Sequence, residues 1–255
     1  MVLVRPSPYL CCTFVSVNIN GDMTSDVFNQ DCIEYMRTLP DGFFHLAVAD
    51  PPYGFGGVAA DGARFGERFR RYNQGDSDMN RWDTAPDADF FRELARVSQH
   101  QIIWGANFFP QMPPCKCFIT WVKTNIPDGF SMAQAEYAWT SLSCNARVWH
   151  GSSARSKDGD HFHPTEKPVA LYRWLFDVWL QSTQQRADAD QPLRVFDPMM
   201  GSQSSRIAAH SLGLDYYGCE LDAEYFRRGC LRYERETAGL ITQSDGQTIR
   251  QLSLF

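Results

Sequence analysis

Within 255 residues there is no apolar run long enough to cross a bilayer, little positive charge, almost no lysine, and no Cys-x-x-Cys pair. The most apolar early stretch, residues 10–19, is broken by Thr13, Ser16 and Asn18 and is about half the length of a membrane-spanning helix. No small-residue cleavage site follows it, so no secretory signal is read. The expectation is a cytoplasmic protein with no membrane partner. The formal net charge of -6 argues against a generalised nucleic-acid coat, although a local basic patch would be hidden in that sum. Only Lys116, Lys123, Lys157 and Lys167 are lysines, so most of the 24 basic residues are arginines, whose planar forks suit phosphate and carboxylate. None of the eight cysteines is followed by another after a gap of two to four residues, as a zinc ribbon needs, Cys11 and Cys12 being adjacent and Cys115 and Cys117 separated by one residue, and a disulfide framework needs an oxidising compartment. Reduced thiols and no metal are therefore expected. No internal repeat is present.

What is present is the material of a packed domain: 44% hydrophobic residues and 14% aromatic ones. From Val27 onward short apolar runs alternate with amphipathic ones, the pattern of an α/β protein. Strands are predicted at 27–31, 45–49, 101–104, 117–122, 136–142, 194–197 and 216–221, and helices at 33–39, 86–99, 165–181, 203–212 and 223–237. The runs 117–122 and 136–142 have no helix between them and should pair antiparallel. The expected fold is a doubly wound, mixed seven-stranded α/β sheet with one antiparallel edge hairpin. Residues 1–22 read as an N-terminal extension, 23–239 as the domain and 240–255 as a C-terminal tail. Inside the domain, 55–82 reads as a basic loop, with Arg64, Arg68, Arg70 and Arg71 set against Glu67, and 143–162 as a short polar segment.

Three patterns carry chemistry. Asp50-Pro51-Pro52-Tyr53 follows an apolar strand directly. The two prolines cannot continue the ladder, so they hold a carboxylate and free carbonyls in a stiff turn at the sheet's edge, with an aromatic face beside them. Those groups suit a flat ring bearing an amine: acceptors for its hydrogens and a surface to stack on. The second pattern is Arg194 to Ser202, a strand running into a small-residue turn and a helix, with Glu220 at the next strand end. This is how doubly wound folds hold a nucleoside, the backbone approaching at the turn and the acid accepting from ribose. Third, Thr165 and Lys167 at a helix start suit an amino-acid carboxylate, although a simple helix cap would look the same.

Together these pieces resemble the S-adenosylmethionine-dependent DNA amino-methyltransferases, in the group whose catalytic half precedes its cofactor half. The likeness runs from Asp31 to Glu220. The resemblance implies a Rossmann-like methyltransferase fold with S-adenosylmethionine as cofactor. Asp50, Pro51, Pro52 and Tyr53 would be catalytic. Asp31 would reach the cofactor's adenine, and His163, Thr165 and Lys167 its methionine end. Asp197, Pro198, Met199, Gly201 and Ser202 would form the cofactor loop, and Glu220 would hold the ribose. One departure stands out. The family's second loop glycine is Gln203 here, whose side chain would crowd the cofactor or hydrogen-bond to it.

The implied reaction is methylation of an exocyclic amine on a base flipped from duplex DNA, needing alignment and charge placement more than a strong base. Aspartate at the head of the signature points to adenine N6. Cytosine N4, an RNA base or a protein amide stay open, as does an inactive DNA-binding module. With only residues 143–162 free for target reading, recognition should be short or lax and shared with the arginine loop, so that Arg64, Arg68, Arg70 and Arg71 contact DNA. The final Gln251-Leu252-Ser253-Leu254-Phe255 resembles the pentapeptide by which bacterial proteins dock on the replicative sliding clamp, with Gln251, Leu252, Leu254 and Phe255 as contacts. A second copy of the chain is a further candidate partner.

Overall fold

The computed structural model describes residues 2–3, 14–19, 23–54, 84–130, 132–153, 163, 165–186, 192–237, 240–242 and 248–250. The basic loop with Arg64, Arg68, Arg70 and Arg71, and the terminal Gln251, Leu252, Leu254 and Phe255, lie outside the described residues. In chain order the elements are β1 (Val2–Leu3), β2 (Phe14–Ile19), β3 (Met23–Phe28), α1 (Cys32–Arg37), β4 (Phe44–Ala49), α2 (Ala88–Val97), β5 (Ser98–Trp104) and a 3-10 turn (Ala106–Phe108). There follow β6 (Phe118–Lys123), β7 (Ala135–Thr140), β8 (Arg147–Gly151), α3 (Val169–Thr183), β9 (Arg194–Asp197), α4 (Ser204–Ser211), β10 (Asp215–Cys219), α5 (Ala223–Thr237), β11 (Leu240–Thr242) and β12 (Thr248–Arg250).

One sheet has the order β1-β2-β3-β10-β9-β4-β5-β7-β6-β8. Its centre, β3-β10-β9-β4-β5, is parallel throughout, which requires crossovers and explains the intervening helices. Strands β6 and β7 form the expected antiparallel pair, and β7 joins β5 antiparallel. The sheet is wider than the predicted seven strands. Strand β8 adds parallel to β6 from within the segment read as polar, because Val148 and Trp149 favour a strand although charged and polar neighbours mask the period. On the other edge β2 pairs antiparallel with β3. Its Val15-Ser16-Val17-Asn18-Ile19 alternation is a period-two strand signal inside a segment read only as an extension. Strands β11 and β12 form a separate two-stranded sheet in the predicted tail.

The central strands are apolar on both faces because helices cover both. Leu46 and Val48 pack with Leu171, Leu175, Phe176 and Trp179 of α3, whereas Ala47 and Ala49 pack with Met36 of α1 and Phe90 and Leu94 of α2. Phe44 and Phe196 stack across neighbouring strands at 4.5 Å. Asp87 caps α2 by accepting from the Phe90 amide at 3.1 Å, worth about 1 kcal/mol. Helix α3 starts at Val169, later than predicted, since a residue preceding a proline is driven to extended backbone and Pro168 therefore holds Lys167 outside the helix. No helix among the described residues is long and apolar enough to cross a membrane.

The winding reverses between β9 and β4: from β9 the chain passes through α4 to β10 on one side, and from β4 through α2 to β5 on the other. Those two strands pair over only two residues, Leu46 with Val195 and Ala47 with Phe196. Ligands of doubly wound sheets bind in the crevice at the carboxyl ends of such strands.

Candidate active site

The two predicted motifs flank that crevice. Asp50 leaves β4 and Asp197 ends β9, so the tetrapeptide expected to be catalytic and the loop expected to hold the cofactor face each other by topology alone. Pro51 is buried, and Asp50, Pro52 and Tyr53 are partly exposed. The Tyr53 hydroxyl donates to Asp50 Oδ1 at 3.1 Å, and Lys167 Nζ donates to Oδ2 at 2.5 Å. Burial raises the Asp50 carboxyl above its usual range, Lys167 pulls it down and Glu136 pushes it up. The Tyr53 ring lies 5.1 Å from that of Phe108 and 6.2 Å from that of Phe109, against Gly105 at the end of β5.

On the β9 side, Asp197 Oδ2 accepts from Ser205 at 2.6 Å and Oδ1 from the Met199 amide at 3.1 Å, while burial pushes its carboxyl up to about 7. Glu220, one strand over, accepts from the Gly201 amide with one oxygen and from the Asp222 amide with the other, both at 2.9 Å, and burial likewise pushes it up to about 7. Asn29 donates to the carbonyls of Glu220 and Leu221, tying β3 to this corner. Next to it Asp31 caps α1 through one oxygen, accepting from Ile33 and Glu34. Gly201 has φ +45, and a Cβ there would lie 2.8 Å from His163 Nε2. The His163 ring therefore sits directly on the loop, edge-on to Tyr225 at 4.7 Å. Ser202 is buried, Pro198 and Met199 lie in the turn between β9 and α4, and Thr165 is exposed with its hydroxyl 3.4 Å from His163 Nδ1.

Gln203 is fully buried with φ +61, the left-handed backbone that a glycine would adopt freely. Its amide points under α5, donating toward the Phe226 carbonyl and Cys230 and accepting from Arg206 at 2.9 Å. The crowding expected of this side chain is taken up by Gly229, where an added Cβ would stand 2.7 Å from Gln203 Nε2. Gly229→Ala should therefore lower stability by about 1–3 kcal/mol despite alanine's better helix propensity. Combined with Gln203→Gly the same change should stabilise, and thermal melting of the single and double variants measures that reversal of sign.

Sequence reasoning missed several participants. Glu136 of β7 and Lys123 of β6 extend the charge contacts of Asp50 and Lys167. Arg232 of α5 donates to the Ser202 carbonyl at 3.1 Å and meets Glu166 at 3.2 Å, linking the loop after β9 to the segment before α3. Glu136 is half-buried and shares its face of β7 with the buried Ala138 and Thr140; that alternation was the available signal, since a charge on an inward-facing strand position needs a partner.

Residues 115–229 match a family model of DNA methylases. The chain is 25% identical over 276 aligned positions to a type II methyltransferase, M2.MboI of Moraxella bovis, covering 92% of this chain and 96% of that protein. Together these matches support an S-adenosylmethionine-dependent DNA amino-methyltransferase. The matched residues begin after Asp50 to Tyr53, so the match does not reach that tetrapeptide. Among solved structures, the M1.HpyAVI–SAM complex superposes with a TM-score of 0.53 at 18% identity, covering 82% of this chain and 98% of that one. The PvuII cytosine-N4-specific DNA methyltransferase superposes at 0.51 and 12% identity, covering 83% and 92%. Both show that this chain has the Rossmann-like fold of those methyltransferases.

Proposed function

We propose that this amino-methyltransferase moves the methyl group of S-adenosylmethionine to the N6 amine of an adenine flipped out of duplex DNA. The observation that carries the reading is the pairing, across one crevice, of Asp50 and Tyr53 in the turn after β4 with Asp197, Gly201 and Glu220 at the carboxyl ends of β9 and β10.

The residues present fit the cofactor. The Glu220 carboxylate accepts backbone amides with both oxygens and, with about four lone-pair sites, keeps capacity for a ribose hydroxyl. Gly201 brings backbone close to the ligand space where a side chain would strike His163. When bound, the cofactor supplies an activated methyl group on sulfur. The chain's own task is then alignment: Asp50 and the Pro51 carbonyl accept the two amine hydrogens and turn the nitrogen lone pair toward the methyl, and the Tyr53 ring stacks on the base. Aspartate at the head of the tetrapeptide favours adenine over cytosine. Arg64, Arg68, Arg70 and Arg71 as phosphate contacts, docking of Gln251 to Phe255 on a sliding clamp, and homodimerisation belong to the same proposal.

Tritium transfer from labelled S-adenosylmethionine to duplex DNA, followed by nucleoside analysis, tests it. Label in N6-methyladenine is expected. Label in N4-methylcytosine would change the base, and label in 5-methylcytosine would overturn amine transfer.

A further inference from the structure

Asp50 belongs to a row of groups that alternate in charge. Tyr53 meets Asp50 at 3.1 Å, Asp50 meets Lys167 at 2.5 Å, Lys167 meets Glu136 at 3.2 Å and Glu136 meets Lys123 at 2.6 Å. Both ammonium groups are nearly enclosed, their side chains 4% and 9% exposed, and each also faces an indole: Lys167 lies over Trp104 at 5.2 Å and Lys123 over Trp121 at 5.0 Å. Four separate elements contribute, namely the turn after β4, the lead into α3, and strands β6 and β7. Charge neutrality at Asp50 needs only Lys167. The second pair is therefore more than neutrality demands, and burying it carries a desolvation cost that attraction only partly offsets. Tyr172 of α3 and Asp197 at the end of β9 are the other titratable groups facing this row.

We propose that Glu136 is a positioning residue for methyl transfer: by sharing Lys167 with Asp50 it keeps the Asp50 carboxylate basic enough to hold the amine and to take its proton. The inference rests on the amine-methylation reading. In that step the nitrogen lone pair forms the N–C bond, the C–S bond breaks with its electrons left on sulfur, and the N–H proton passes to Asp50. Without Glu136, Lys167 acts on Asp50 undivided. The carboxylate then stays ionised to lower pH but is a poorer acceptor. Without Lys167 the shift is reversed.

The test is kcat against pH for the full chain on duplex DNA, with S-adenosylhomocysteine binding by calorimetry. Glu136→Gln should move the acid limb to lower pH and cut kcat at neutral pH by about ten-fold, with ligand binding unchanged. Lys167→Gln should move the limb to higher pH. Limbs that stay in place, or that move in the same direction, overturn the proposal. If Glu136→Gln does not fold, Lys123→Gln carries the test: Glu136 then draws more on Lys167, the limb moves to higher pH, and an unmoved limb overturns the inference. A wild-type chain that binds S-adenosylhomocysteine yet labels no DNA amine overturns the underlying reading, and this proposal with it.

Discussion

Asp50→Ala is expected to slow methyl transfer to DNA by about 10²–10³ while leaving S-adenosylhomocysteine binding within a few-fold of wild type. The expectation follows from geometry. Asp50 lies at the end of β4, whereas Asp197, Gly201 and Glu220 lie at the ends of β9 and β10 and Asp31 caps α1; of the groups assigned to the cofactor, Lys167 is the one that contacts Asp50. Its loss removes the acceptor for the amine without touching Glu220 or Gly201. A cost in stability is also expected, because Lys167 is enclosed and loses its 2.5 Å partner. Breaking a buried pair costs about 3–5 kcal/mol when the other charge is stranded, but Glu136 remains 3.2 Å from Lys167, so the cost here should be lower. Melting of the variant separates the two effects. The wild-type pH profile follows with a definite sign. Asp50 must be ionised to accept amine hydrogens, and burial raises its pKa, so activity is lost as pH falls through that raised value. A variant working at the wild-type rate would remove Asp50 from the chemistry.

The site's outline was legible in the sequence because the motifs sit where strands end. A carboxylate before two prolines cannot lie within a central strand, so Asp50 had to mark the end of β4. Gly201 and Glu220 were legible for the same reason, being a turn residue and an acid after apolar runs. What was not legible were contacts made by tertiary structure alone. Glu136 and Lys123 lie on β7 and β6, and nothing in their local spacing shows that Lys167, more than thirty residues on from Glu136, returns between Glu136 and Asp50. Gln203 is the other instance. From the sequence it is a departure from a glycine pattern, and only the packing of α5 shows that Gly229 supplies the missing space. Strands β2 and β8 were missed differently. Strands at or next to the margin of a sheet, as β8 and β2 are, need only half their residues apolar, so a short period-two signal is easily lost beside polar neighbours.

Gly105→Ala should reduce turnover by about a hundred-fold through Tyr53, although Gly105 carries no chemistry of its own. A Cβ at this position would lie 2.0 Å from Tyr53 Cε1 and 2.5 Å from Cζ, inside the ring's own volume. The backbone here has φ +65, so alanine adds conformational strain of about 1–2 kcal/mol to the clash. The backbone cannot readily yield, because the Gly105 amide donates to the Tyr137 carbonyl at 2.9 Å and its carbonyl accepts from Phe108 at 2.9 Å. The ring must therefore leave its place beside Phe108 and Phe109, taking its hydroxyl from Asp50. Tyr53 is partly exposed, so it can swing outward without unfolding the domain. A double-mutant cycle decides whether the loss passes through Tyr53. Against a Tyr53→Ala background the clash is gone, and adding Gly105→Ala should cost little further activity. Additive losses would instead place the effect in the β5 turn itself, and Tyr53→Phe, which keeps the ring and removes only the hydroxyl, divides the remaining effect between stacking and the hydrogen bond to Asp50.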